Sequence, residues 1–108
     1  MLTFNLKKEW YEKIRSGEKT IEYREVKPYW TSRLRNQGCL PKDGKPFNCD
    51  LEGVCIFPVF SLFRLGYTRQ AISARITKVE IVNGKDTDLA IDAPVYAVHL
   101  AALREIGK

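Results

Sequence analysis

Histidine, methionine and cysteine are scarce: the 108 residues hold one, one and three of them. Cys39, Cys49 and Cys55 are odd in number and stand ten and six residues apart, which is not the spacing of a zinc CxxC pair. His99 is the sole imidazole that could join them. In a chain with this much core-forming sequence, the three thiols read as reduced cysteines of a cytoplasmic protein and not as a disulfide scaffold. No apolar run approaches the ~18–20 residues of a membrane span. The start, Met1-Leu2-Thr3-Phe4-Asn5-Leu6-Lys7-Lys8, lacks the basic head and long apolar stretch of a secretion signal. A phosphate-cradling glycine loop and a dinucleotide fingerprint are both missing, and Ser32 and Ser61 have no triad partners nearby in sequence. Neither a metal nor a cofactor is expected.

What is present is globular. A hydrophobic share of 44% with 29% charged residues supports one real core, and 108 residues make a single domain, 1–108. Eighteen Lys and Arg against thirteen Asp and Glu leave a net charge of +5. That excess favours anionic partners, nucleic acid or nucleotides first.

Leu2-Thr3-Phe4-Asn5-Leu6 alternates apolar and polar, as a half-buried strand does. A short helix is predicted from Lys7 to Ser16, because Leu6, Trp10 and Ile14 share one face and Lys8, Glu12 and Arg15 lie elsewhere. Gly17 suits the left-handed residue that ends it. Thr20 to Glu25 alternates again, with Ile21 and Tyr23 on one face and Thr20, Glu22 and Arg24 on the other. Pro28 can open a second helix through Arg35. Residues 38–50 carry Gly38, Pro41, Asp43, Gly44, Pro46 and Asn48, which is the chemistry of a mobile loop.

The apolar run Val54 to Leu65 contains Pro58, which cannot donate to a ladder and so marks a break or a sheet edge. Ala71 to Val82 reads as a long strand whose apolar residues change face, and a bulge near Thr77-Lys78 would restore their register. Asn83-Gly84 signals a turn. Pro94 to Leu100 reads as a last strand buried on both sides, with Ala101 to Lys108 as a helical turn. The sum is an α+β, mostly β, fold: about five strands in a small, mostly antiparallel barrel or curled sheet, with two short helices inserted early.

Chemistry concentrates in Ser16-Gly17-Glu18-Lys19-Thr20-Ile21-Glu22-Tyr23-Arg24. Were the Thr20-Glu22-Arg24 face to cover a core, a carboxylate and a guanidinium would be desolvated at several kcal/mol each, against an attraction of only ~4 kcal/mol at ~4 Å. The face therefore suits a wet cleft, in which Lys19 and Arg24 meet an anion or a polar base edge and Glu22 accepts a hydrogen bond or orients Arg24. An ordinary solvent-facing strand with an i, i+2 ion pair is the plainer alternative. His99 reads as a core or rim histidine bonded to backbone.

The helix Glu9 to Ile14, then Ser16-Gly17-Glu18-Lys19-Thr20, then Glu22-x-Arg24 resembles, in order and spacing, the ASCH domain of the PUA-like superfamily. Phe63-Arg64-Leu65-Gly66-Tyr67 and the strand Ile76 to Ile81 look like that domain's second half. The resemblance implies a PUA-like barrel of five to six strands. It also implies a cleft for RNA or a modified nucleoside, lined by Lys19, Thr20, Glu22 and Arg24, with Arg64 and Tyr67 contributing from the opposite side. Such a domain would act in RNA metabolism or translation regulation.

Some ASCH relatives are amidohydrolases acting on acetylcytidine, and others are metal-dependent ribonucleases. On a hydrolase reading Lys19 is the reactive group and Glu22 occupies the position of a catalytic threonine. A lysine base or nucleophile must be neutral, which takes burial or nearby cations, and a carboxylate at position 22 works against that. No distal glutamate aligns with the catalytic one; Glu80 is the only glutamate in the strands from Ala71 to Leu100. Binding is thus favoured over turnover. A protein-interaction module is the third alternative.

Overall fold

Alternation along the first strand becomes an inside and an outside: Leu2, Phe4 and Leu6 are buried, while Thr3 and Asn5 are exposed. A computed structural model describes residues 2–37, 39 and 54–106. Its elements run β1 (Leu2–Leu6), α1 (Lys8–Arg15), β2 (Ile21–Glu25), α2 (Pro28–Asn36), β3 (Val54–Leu65), β4 (Ala71–Asn83), a 3-10 turn (Gly84–Asp86) and β5 (Pro94–Ile106). The five strands form one sheet in the order β1-β3-β4-β5-β2. β1 and β3 are parallel and the other three pairs antiparallel. The sheet curls into a half-barrel. The order leaves β1 and β2 as its two edges.

The concave side holds the core. Phe4, Phe63, Ile72, Ile76, Val98 and Leu100 from the sheet meet Tyr11 and Ile14 of α1 and Leu34 of α2. Phe4 is stacked between two rings, 4.8 Å from Phe63 and 4.9 Å from Trp30, with the planes within 8°. Fully burying a phenylalanine contributes about 1.5–3 kcal/mol, so this stack is a substantial share of what docks α2 on β1.

The helices form where the periodicity puts them, with Lys7 and Ser16 as the caps of α1. Gly17 adopts φ +83°, and the reversal lets the Lys19 N–H donate to the Lys13 carbonyl at 2.9 Å. That bond carries the chain into β2 with the Lys19 side chain turned back under α1.

The expected bulge is present at Thr77. β4 advances from Ile76 to Lys78 while β5 moves only from Leu100 to His99, so Ile76 and Val79, three apart, both face the core. Pro58 lies in the part of β3 that extends past β1, whose pairing covers only Ser61 to Leu65, and the β3–β4 register shifts between Val54 and Val59.

The C-terminal tail corrects the sequence expectation. Residues 101–106 continue β5 as strand, where a helical turn was expected. A second register shift puts one extra residue in β5 between Ala101 and Arg104, and Ala102 takes φ +52° there. Pairing through to Ala71↔Ile106 outweighs the helical preference of Ala-Ala-Leu-Arg-Glu. The 38–50 loop lies outside the described residues except for Cys39, which is buried; Cys49 and the Cys55 side chain lie outside them too. Among the described residues, no helix is long and apolar enough to cross a membrane.

Candidate functional site

Because the half-barrel is open, its edges β1 and β2 face one another across a gap, and that gap is a cleft of about 390 Å³. Asn5, Leu6 and Lys7 form one wall, and Glu22 to Glu25 form the other. Trp10 of α1, Trp30 of α2, and Asp88 and Leu89 from the β4–β5 connection complete it.

Glu22 is the unusual residue. It is only 5% exposed, though its pleat position beside Arg24 reads as solvent-lining. Its burial is compensated on three sides. The Tyr23 N–H donates to Oε1 at 3.0 Å, satisfying a donor on an edge strand. Lys19 Nζ lies 3.4 Å from Oε1, and Arg24 Nη2 lies 3.7 Å from Oε2. Even so, Glu22 Oε2 and Arg24 Nε are both buried without a hydrogen-bond partner among the described residues. Each such orphan costs about 1–3 kcal/mol until something pairs with it.

The two cations are held differently. Lys19 is 9% exposed at its side chain and is ion-paired with Asp88 as well as Glu22. Its ammonium also lies over two rings, 4.9 Å from the centroid of Trp10 and 5.5 Å from that of Tyr23. Arg24 spreads over the edge of the aromatic stack, its guanidinium carbon 5.0 Å from Trp30 and 5.2 Å from Phe4. Lys19 and Arg24 are thus both met by carboxylates, while the whole lining carries four cations (Lys7, Lys19, Arg24, Lys27) and three carboxylates (Glu22, Glu25, Asp88).

Of the residues expected to line a cleft, Lys19, Glu22 and Arg24 come together. Thr20 precedes β2 and opens instead onto a neighbouring recess with Lys13, Glu18 and Ile21. Arg64 and Tyr67 are not part of the cleft lining. The Arg64 guanidinium donates to the Thr68 carbonyl at 3.3 Å, and Tyr67 is 96% exposed on the β3–β4 turn. Asp88 was not foreseen, since it reaches Lys19 from 69 residues away. The sequence pattern places Trp10 only on the apolar face of a helix; its ring also meets the Lys19 ammonium.

His99 and Glu80 form a separate pair. The His99 Nε2–H donates to Glu80 Oε1 at 2.7 Å, so the half-buried imidazole is a rim histidine bonded to a carboxylate, where a backbone partner was expected. In register, His99 opposes Ile21 and Glu80 opposes Ala97, alternating with the Val98 and Tyr96 positions that oppose Glu22 and Arg24. The pair is therefore on the other face of the sheet. The His99 hydrogen bond, aided by Lys78, holds the Glu80 carboxyl below its ordinary pKa. Among the described residues no three His, Cys, Asp or Glu side chains cluster as a metal site would need.

Comparison with protein-family models, with curated proteins and with solved structures gave no match.

Proposed function

We propose that this chain is an ASCH-type, PUA-like domain that takes a nucleobase of RNA, or a modified nucleoside, into the cleft between β1 and β2. Its setting would be cytoplasmic RNA metabolism or translation regulation. One observation carries the reading: on neighbouring β2 positions, a buried acceptor, Glu22 Oε2, and a buried donor, Arg24 Nε, lack hydrogen-bond partners among the described residues, in a cleft walled by Trp10 and Trp30. A nucleobase is a flat ring whose edge sets N–H donors beside carbonyl and ring-nitrogen acceptors. Such an edge answers both orphans at once, and the indoles supply surface for stacking worth about 1–3 kcal/mol.

Lys19 supports binding over hydrolysis. Its ion-pair and ring partners, Glu22, Asp88, Trp10 and Tyr23, are groups that attract a cation, and a lysine acting as base or nucleophile needs surroundings of the opposite kind. In this reading it fixes Glu22 and the Asp88 loop in place. Lys19 and Arg24 are already met by carboxylates, which suits a neutral base beside them better than a phosphate.

Calorimetric titration of the full chain with the four ribonucleosides, N4-acetylcytidine and short single-stranded RNA tests this. Saturable binding of at least one is expected, weakened by about 10–100-fold in a folded Glu22→Gln variant, since a charged acceptor becomes a neutral amide. No binding, or equal binding by Glu22→Gln, would overturn it.

A further inference from the structure

The cleft does not end at β1. Asn5, Leu6 and Lys7, which form its β1 wall, also line a second, shallower groove with Lys8, Leu65, Gly66, Tyr67 and Thr68. The groove is held to the cleft by backbone: the Gly66 N–H donates to the Leu6 carbonyl at 3.0 Å, and Gly66 itself turns at φ +54°. Leu65 and Leu6 give this groove an apolar floor. At its side stands Tyr67, 96% exposed, with no hydrogen bond or ring contact among the described residues to explain its place on the turn. Lys7 and Lys8 border the same groove, and both are exposed. Neither ammonium is ion-paired among the described residues, in contrast to Lys19 and Lys27.

We infer that this groove is a second nucleotide subsite, so that the ligand is a single-stranded oligonucleotide and not a free nucleoside. This rests on the base-binding reading of the cleft. One base enters between the edge strands, the chain crosses over Asn5 and Leu6, and the adjoining base stacks on Tyr67. The phosphate joining them passes Lys7 and Lys8. The division of labour follows the ion pairs: the base enters beside Lys19 and Arg24, which carboxylates already meet, while Lys7 on the shared wall and Lys8 beyond it, neither ion-paired among the described residues, take the backbone anion. An open stacking platform with flanking cations is how single strands are held without reading the second base.

The test compares a ribonucleoside 5′-monophosphate with a trinucleotide containing the same base, on the full chain. The trinucleotide should bind about tenfold or more tightly. Tyr67→Ala should remove most of that gain and leave the mononucleotide affinity within about twofold, and Tyr67→Phe should retain it. A Lys7→Gln/Lys8→Gln double variant should flatten the salt dependence of trinucleotide binding by about one to two lysines' worth. Tyr67 is a surface side chain, so loss of fold does not confuse the result. Equal affinities for the two probes, or a Tyr67→Ala protein that binds the trinucleotide as wild type does, would overturn the second subsite while leaving the cleft standing. If neither probe binds, the cleft reading has failed and this one falls with it.

Discussion

The Arg24 guanidinium carbon lies 5.0 Å from the centroid of the Trp30 ring, joining the edge strand β2 to helix α2 across the seam of the half-barrel. A cation on an aromatic face contributes roughly 0.5–1 kcal/mol in water and about 2 when desolvated. Arg24→Ala should therefore lower stability by about 1–2 kcal/mol in urea denaturation without abolishing the fold. Its effect on ligand should be larger, since the planar fork beside Glu22 is lost. Arg24→Lys should keep the fold but weaken base binding by about tenfold, because an ammonium cannot both stack and direct paired N–H groups. An unfolded Arg24→Ala protein would show the residue to be a structural strut.

Lys19 has two carboxylate partners in unlike surroundings. Glu22 is buried, whereas the Asp88 side chain is 37% exposed. Removing a partner from a buried ion is costly, about 3 kcal/mol, while an exposed pair contributes about 1 kcal/mol or less. Lys19→Met should thus destabilise strongly and Asp88→Asn only slightly. A double-mutant cycle should give a larger coupling for Lys19 with Glu22 than for Lys19 with Asp88. The reverse order would make the β4–β5 connection the lysine's main anchor.

Two glycines should respond oppositely in mechanism and unequally in size. Gly17 has open space around a built Cβ but sits at φ +83°, so Gly17→Ala should cost about 1–2 kcal/mol of backbone strain. At Gly84 an added Cβ would stand 2.8 Å from the Ile91 carbonyl oxygen and from Val95 Cγ1. A carbonyl cannot swing aside as a side-chain tip can, and Gly84→Ala should cost about 2–3 kcal/mol or more. Thermal unfolding of the two variants checks the order.

The Glu80 carboxyl is held low by the His99 hydrogen bond first, with Lys78 nearby at 3.6 Å. A depressed folded pKa means a contribution present above the unfolded carboxylate's pKa and lost as pH falls through the folded one. The side chain is 39% exposed, so solvent screening keeps the contribution to about 1 kcal/mol or less. Glu80→Gln should accordingly narrow the stability difference between neutral pH and the acid side of the carboxylate range. Base binding should be untouched, since the pair is on the other face. A Glu80→Gln protein with unchanged acid sensitivity would contradict this.

Local patterns carried much of this fold, and contacts between distant segments were the part that sequence alone did not show. The face of α1 and the alternation of β1 and β2 were legible because side-chain period follows backbone geometry. The Thr77 bulge was legible because Ile76 and Val79 cannot share a face without it. The convergence of Lys19, Glu22 and Arg24 was legible because one turn and one strand position all three. Asp88 was not, since its approach to Lys19 depends on β5 pairing with both β4 and β2. The same holds for Phe4 beneath Arg24, where two sheet edges meet. Residues 101–106 misled because their helix-forming composition yields to a long-range ladder.

The chain has two tryptophans, Trp10 and Trp30, and both line the cleft. Intrinsic tryptophan fluorescence is thus a direct reporter of its occupancy. Titration with short single-stranded RNA should quench the emission saturably in the wild-type chain, and Glu22→Gln should shift the midpoint upward by at least about tenfold. Emission that stays constant through the titration, or the same quenching curve in both proteins, would contradict a nucleobase seated on Glu22 and Arg24.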